Sequence, residues 1–288
     1  MFLLDSSFTN HGALGILENN MIRYHHHCKF DSDIHFDNIG SLDDYDENSL
    51  IFLHALGGID ELEKRVKTLL SKDVAPAILI TSFDLFNLKD LDEKISKSII
   101  TVKNPRLAYS IIASKLFPHR AHNAEISNHA IVAKDSLIGS GVSVGPFTTI
   151  GGDGLSPNRH GDMLHNTTHL GIIYICDNTS IGARCNIVNG VLTNTIIGES
   201  CSIANDVSIG HGTKISDRVM IAPHVVISGS CSIGDDTWIG PNVSIKEGIT
   251  IGAKCFIGIG AVITKDIPDN SRAYSKSELV IDDKAKPW

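Results

Sequence analysis

The sequence predicts a mainly β protein, a parallel β-helix of six-residue repeats behind a small α/β domain. Three observations carry this reading. Isoleucine occupies every sixth position from 197 to 263, twelve times in unbroken succession. Shorter runs in the same period precede it: Ile126, Val132, Ile138, Val144 and Ile150, then Ile175, Ile181 and Ile187. Residues 1 to about 100 have no such period and alternate apolar segments with a helical one.

A helix places apolar residues three and four apart and a sheet face places them two apart, so a period of six fits neither. It fits a short strand and a turn repeated until the chain has coiled. Three hexads close one triangular turn, so residues 18 apart stack about 4.8 Å apart with backbone hydrogen bonds between turns. Four places after each isoleucine come small or β-branched residues, suited to an inward-facing strand. Gly, Ala or Ser usually follows the isoleucine directly, where crowded backbone leaves no room for more. Two interruptions break the pattern. Four extra residues between Ile187 and Ile197 predict a looped-out corner, and GGDGLSPNRHGDMLHNTTHLG, residues 151–171, is too long and irregular for the coil. It reads as a loop folded over a surface, where rigid scaffolds often carry function.

Before the coil, SLIFLHAL and APAILITSF read as strands and DELEKRVKTLLSK as a helix. NPRLAYSIIASKLF carries apolar residues at helical spacing after a proline and predicts a linker helix. The expected organisation is therefore a small α/β domain over 1–103, a linker helix over 104–120, the β-helix over 121–268 with its inserted loop 151–171, and a short tail over 269–288. The chain is expected to leave the coil through KDIPDNS.

Composition narrows the function classes. The 288 residues are 42% hydrophobic and 20% charged with net charge −8, and no basic patch is interleaved with aromatics. No nucleic-acid partner is expected. No apolar run approaches the length of a membrane helix and the start lacks a signal-peptide pattern, so no integral membrane segment and a cytoplasmic location are expected. Six cysteines show no metal-ligand spacing. Four of them, Cys185, Cys201, Cys231 and Cys255, share one place in the repeat, which fits a small semi-apolar slot better than a disulfide framework. The tract His25, His26, His27, Cys28 has no spaced second pair, and ordinary strand or loop histidines are expected there. No resident metal and no bound cofactor are expected.

One unit is chemically unusual. In ANDVSIGHGTKIS, His211 sits two residues after Ile209, at an outward corner of the coil. A corner histidine is also compatible with a solvated side chain, as is His224.

The order of segments resembles one family, the UDP-3-O-acylglucosamine N-acyltransferases of lipid A synthesis, among the left-handed β-helix hexapeptide acyltransferases. NPRLAYSIIASKLF resembles that family's linker helix, GGDGLSPNRHG its GxDGFGF…NRxG insertion, and IANDVSIGHGTKI its IDNQIQIAHNVxIG segment. The resemblance implies a left-handed coil, a homotrimer, and transfer of an acyl group from an acyl carrier protein or CoA thioester to the amine of a nucleotide-linked amino sugar. It puts the catalytic base on His211 and aligns Asn205 with the family's asparagine. Asp153, Gly154 and Asn158 are implied to contact the acceptor, and Phe52 in FLHALGG to stack on a uracil. A neutral imidazole can take the proton of the attacking amine.

Departures accompany the match. The family's aspartate before the asparagine is Ala204, with Asp206 nearby, and its second histidine, two turns along the coil, falls at about Gly248. Ala55 and Gly58 replace the polar uracil partners. The tail GAVITKDIPDNSRAYSKSELVI resembles acetyl-CoA-using hexapeptide enzymes, which supports an alternative: an acetyl-CoA-dependent sugar N- or O-acetyltransferase for O-antigen or another surface glycan. A zinc hydrolyase built on His160, His165 and His169, and a scaffold without chemistry, are further alternatives.

Overall fold

The computed structural model describes residues 2–20, 24–28, 34–39, 41–42, 44–53, 64–65, 67–69, 71, 75–76, 78–82, 98–116 and 125–275. The chain divides into two compact units, residues 1–122 and 123–288.

In the first unit, strands β1 (Phe2–Thr9), β2 (Tyr24–Cys28), β3 (His35–Ile39), β4 (Ser49–Phe52), β5 (Ile78–Ser82) and β6 (Ser98–Val102) form one sheet in the order β1-β3-β4-β5-β6-β2. The four central strands run parallel and the two outer ones antiparallel to their neighbours. Helix α1 (Asn10–Asn19) is capped by Thr9, whose hydroxyl accepts the Gly12 N–H. Helix α2 (Pro105–Leu116) is capped by the Asn104 side chain, which accepts the Leu107 N–H, with Pro105 in the first helical position.

Alternation along the strands sorts the core onto both faces. Leu50, Ile78, Ile80, Ile100 and Val102 pack with Ala13 and Leu17 of α1 and Ala108 and Ile112 of α2. Ile51, Leu53, Leu79 and Ile99 pack with Leu69 on the other face. The segment read as a linker helix is thus part of the first unit's own core. The helix read over 60–72 is present at 64–65 and 67–69, and its remaining positions lie outside the described residues, as do Ala55, Gly58 and 276–288.

The second unit is a three-sided parallel β-helix. Its strands form three parallel sheets of seven, six and seven strands. Register follows the repeat: Ile209 pairs with Ile227, Ile227 with Ile245, Ile245 with Ile263. The repeat isoleucines from Ile150 to Ile263 are buried in one continuous core with the valines and cysteines of the second inward position, while Ile126 in the first turn is exposed. KDIPDNS does not leave the coil. Ile267 bridges to Ile251, and Arg272–Ala273 pair with Phe256–Ile257.

Two features of the repeat explain its residue choices. The third residue after the isoleucine takes positive φ at most corners, as in Asp206, Arg218, His224, Ser230 and Asp236, and in Gly212 and Gly248. Asn, Asp and His tolerate that conformation better than other non-glycine residues, which accounts for His224. The cysteines stand one turn above threonines. Thr148, Thr179, Thr213 and Thr237 accept the backbone N–H of Cys185, Cys201, Cys231 and Cys255 and donate to a carbonyl of a neighbouring turn. Each cysteine donates its S–H to a carbonyl in turn. Burial pushes the thiols of Cys185, Cys201 and Cys231 up, which keeps them protonated and unreactive.

Candidate active site

The repeat stacks one corner column: Gly152, Asn189, His211, Gly229 and Glu247, each two residues beyond a paired isoleucine. Backbone bonds continue through the corner, from Ser230 N–H to the His211 carbonyl and from Gly248 N–H to the Gly229 carbonyl. His211 therefore has a residue without a side chain directly above it. A Cβ on Gly229 would overlap His211 Cε1 and Nε2, so the imidazole lies against the Gly229 backbone. Beyond it, Nε2 stands 3.7 Å from Oε1 of Glu247. The His211 side chain is 17% exposed and that of Glu247 64%.

The inserted loop closes the other side. It contains a hairpin, Pro157–His160 paired with Met163–Asn166, turning at Gly161 with φ +57° and exposed along its length. At its base His169 is buried, its side chain 0% exposed. The Gly154 N–H donates to His169 Nε2 at 3.2 Å, and His169 Nδ1 is 3.0 Å from the Thr167 carbonyl. A nitrogen that accepts and a nitrogen beside an acceptor define the neutral ring protonated on Nδ1. Its ring meets that of His211 edge to face, centroids 5.7 Å apart.

The looped-out corner locks the loop to the coil. Leu170 and Gly171 donate to the carbonyls of Val191 and Gly190, Ile172 donates to the Asn194 side chain, and Asn189 donates to the Gly152 carbonyl. Buried Thr195 donates to the Val188 carbonyl and accepts the N–H of Gly212, the residue after His211.

The expected site residues divide accordingly. Gly154 and Asp153 lie beside His169, with Asp153 Oδ1 3.8 Å from His169 Nδ1 and its side chain 58% exposed. A Cβ on Gly154 would stand 3.3 Å from His169 Nε2 and 3.8 Å from His211 Cδ2. Asn158 is on the exposed hairpin and donates to the Thr167 hydroxyl. Asn205 is at the preceding corner, where Oδ1 accepts the Ala183 N–H; Asp177, Asp217, Asp235 and Asp269 make equivalent bonds at other corners. Phe52 belongs to the first unit, with one ring face stacked on Tyr109 at 4.2 Å.

Asp206 does not replace the missing aspartate. It forms a two-pronged pair with Arg184, at 2.7 and 2.6 Å, which holds its carboxyl below the ordinary range. The residue two turns along from His211 is Glu247, one position before Gly248. His160 and His165 face each other on the hairpin with ring centroids 6.3 Å apart, whereas His169 pairs with His211. Among the described residues no group of three or more His, Cys, Asp or Glu side chains could hold a metal ion. The residues not foreseen at the site are Glu247, Gly229 and Thr195; adding 18 and 36 to 211 finds the first two, and no local signal finds Thr195.

Residues 194–229 and 230–265 each match the family described as bacterial transferase hexapeptide (six repeats). The chain carries a hexapeptide-repeat domain. Over 88 residues it is 36% identical to UDP-3-O-acylglucosamine N-acyltransferase of Rickettsia conorii (strain ATCC VR-613 / Malish 7), covering 31% of this chain and 24% of that protein. The match thus spans about a quarter of the relative's length. Among solved structures, a UDP-N-acetylglucosamine acyltransferase from Bacteroides fragilis 9343 aligns at TM-score 0.43 and 23% identity, covering 50% of this chain and 55% of the other. A mutant GDP-perosamine N-acetyltransferase from Caulobacter crescentus, in complex with CoA and GDP-perosamine, aligns at TM-score 0.28 and 17% identity, covering 69% and 67%. No described helix is long and apolar enough to cross a membrane.

Proposed function

We propose that this chain transfers an acyl group from a thioester donor, acyl carrier protein or CoA, to the amine of a nucleotide-linked amino sugar, with His211 as general base. The observation that supports it is the pairing of two imidazoles of unequal freedom. His169 has both nitrogens occupied and serves the loop, while His211 is wedged at an outward corner with a nitrogen to spare. A base of this kind takes the proton from the attacking nitrogen as the C–N bond forms, and returns it to the thiolate as the C–S bond breaks. The tetrahedral oxyanion also needs a donor, and the N–H groups of Gly212, Ser230 and Gly248 are already bonded within the coil. Asp153 and Gly154, beside the histidine pair, would meet the acceptor. Asn158 and Asn205 each use one of the hydrogen bonds an amide side chain can make, which leaves the others for a ligand. A homotrimer, with the corner facing a groove between copies, belongs to the same proposal.

The test follows free-thiol release from acetyl-CoA or a 3-hydroxyacyl carrier protein in the presence of a UDP-linked amino sugar. His211→Ala should lower turnover by roughly 10²–10⁴-fold, the usual worth of a positioned base, without changing assembly. Near-normal activity in that variant would remove His211 from the mechanism. Release from the carrier protein alone supports a lipid A acceptor. Release from acetyl-CoA alone favours a surface-glycan sugar.

A further inference from the structure

We infer that Glu247 is the positioning residue of His211, holding the imidazole with its proton on Nε2 and leaving Nδ1 as the nitrogen that accepts the acceptor's proton. The inference rests on the reading of His211 as a base.

The geometry of the column leads to it. His211 and Glu247 are separated by one turn, and that turn contributes Gly229. Any larger residue there would fill the space the imidazole uses to reach along the column. The ring lies with its face over Gly229, where an added Cβ would overlap Cε1, Nε2 and Cδ2, and Nε2 is the ring nitrogen beside the Glu247 carboxylate, 3.7 Å from Oε1. Its Cδ2 edge is turned to Gly154 and the loop. In an imidazole Nδ1 lies across the ring from Cδ2, the His211 atom nearest Gly154. Among the described residues no hydrogen bond is made to Nδ1.

A carboxylate only accepts hydrogen bonds, so the neutral tautomer it favours is the one with hydrogen on Nε2. At 3.7 Å the contact is longer than a hydrogen bond, and the exposed Glu247 side chain has the rotamer freedom to shorten it. Such contacts tighten once the reacting groups are in place. The alternative carboxylates are occupied or distant in register: Asp206 is paired with Arg184, and Asp153 stands beside Nδ1 of His169. In the reaction, Nδ1 takes the proton of the amine as its nitrogen bonds to the thioester carbonyl carbon. The imidazolium so formed has Nε2–H facing the Glu247 carboxylate. When the C–S bond breaks, the Nδ1 proton passes to the thiolate and the neutral Nε2–H tautomer is restored.

The experiment labels the protein with ring-¹⁵N histidine and reads the protonation of each His211 nitrogen, assigned by its loss in His211→Ala. The full-length protein is used without substrate. The neutral His211 ring is expected to carry its proton on Nε2. Glu247→Ala should turn it into a mixture of tautomers, and Glu247→Gln, which keeps an acceptor oxygen, should preserve it. In thiol-release kinetics Glu247→Ala should lower kcat about tenfold with KM for both substrates unchanged, since an orienting carboxylate acts through the base, and Glu247→Gln should recover part of the loss. A wild-type ring protonated on Nδ1, or a Glu247→Ala ring with unaltered tautomer, would overturn the assignment. Because the tautomer is read without turnover, it reports on Glu247 even if no thioester offered is a substrate. Conversely, the expected tautomer together with an active His211→Ala protein would overturn the base and leave the Glu247 contact standing.

Discussion

Gly229 shows how much one absent side chain can decide. Its backbone is not among the positive-φ corners, so alanine is conformationally acceptable there. Its Cβ would nevertheless overlap the His211 ring, which must swing away from Glu247 to make room. Gly229→Ala is expected to leave the thermal midpoint nearly unchanged and to lower thiol release by about tenfold or more, because a misplaced reacting group is costly. Full activity in that variant would mean that the ring works from another rotamer. The threonine–cysteine pairs are the contrasting case at this scale. They are buried, protonated and hydrogen-bonded between turns, and their chemistry is structural.

Among the elements, the looped-out corner at 188–194 and the inserted loop form one device. The extra residues supply carbonyls and a side chain to the end of the loop, and Thr195 ties the beginning of that corner to Gly212 beside His211. Thr195→Val keeps the volume but leaves the part-buried Gly212 N–H without its acceptor and the Val188 carbonyl without its donor, a loss of about 1 kcal/mol. We expect faster hydrogen exchange at the Gly212 amide and reduced turnover, with exchange in the turns around Ile245 to Ile263 unaffected. Acceleration spread evenly through the coil would instead show that the residue supports the whole stack. In the first unit the comparable device is the turn before β4. Asp46 accepts from the Asn38 side chain, the Ser49 hydroxyl and the Asn48 N–H. The Asn38 bond is the largest of the influences that hold its carboxyl below the ordinary aspartate value of 3.8. A carboxyl lowered by folding stabilises the folded state above its unfolded value, and this contribution is lost as pH falls through the lower folded value. The urea midpoint of the wild type should therefore decline below pH 4 more steeply than that of Asp46→Asn, which has no proton to gain. Parallel acid limbs would exclude Asp46 as a source of that dependence.

At the scale of the whole molecule the two units are built on different principles, and the sequence revealed them unequally. A solenoid is held by contacts between neighbouring turns, so each turn repeats the same demand and the demand is written every six residues. That is why the coil, the stacking of residues 18 apart, the inserted loop and the corner position of His211 were all legible in advance. The α/β unit uses each residue once, so its strands could be sensed but not their order, nor that Ala108 and Ile112 of α2 belong to its core. The coil's end was misjudged for a related reason. KDIPDNS abandons the isoleucine period in sequence, while its backbone still finds partners at Ile251 and Phe256–Ile257. By itself the sequence determined the period, and through it which residues share a corner column. Only the tertiary structure decided what those residues do to one another. It turned Asp206 to Arg184, brought His169 from the loop onto His211, and laid the imidazole over Gly229 toward Glu247, because side-chain direction depends on neighbours from distant turns that no local pattern records.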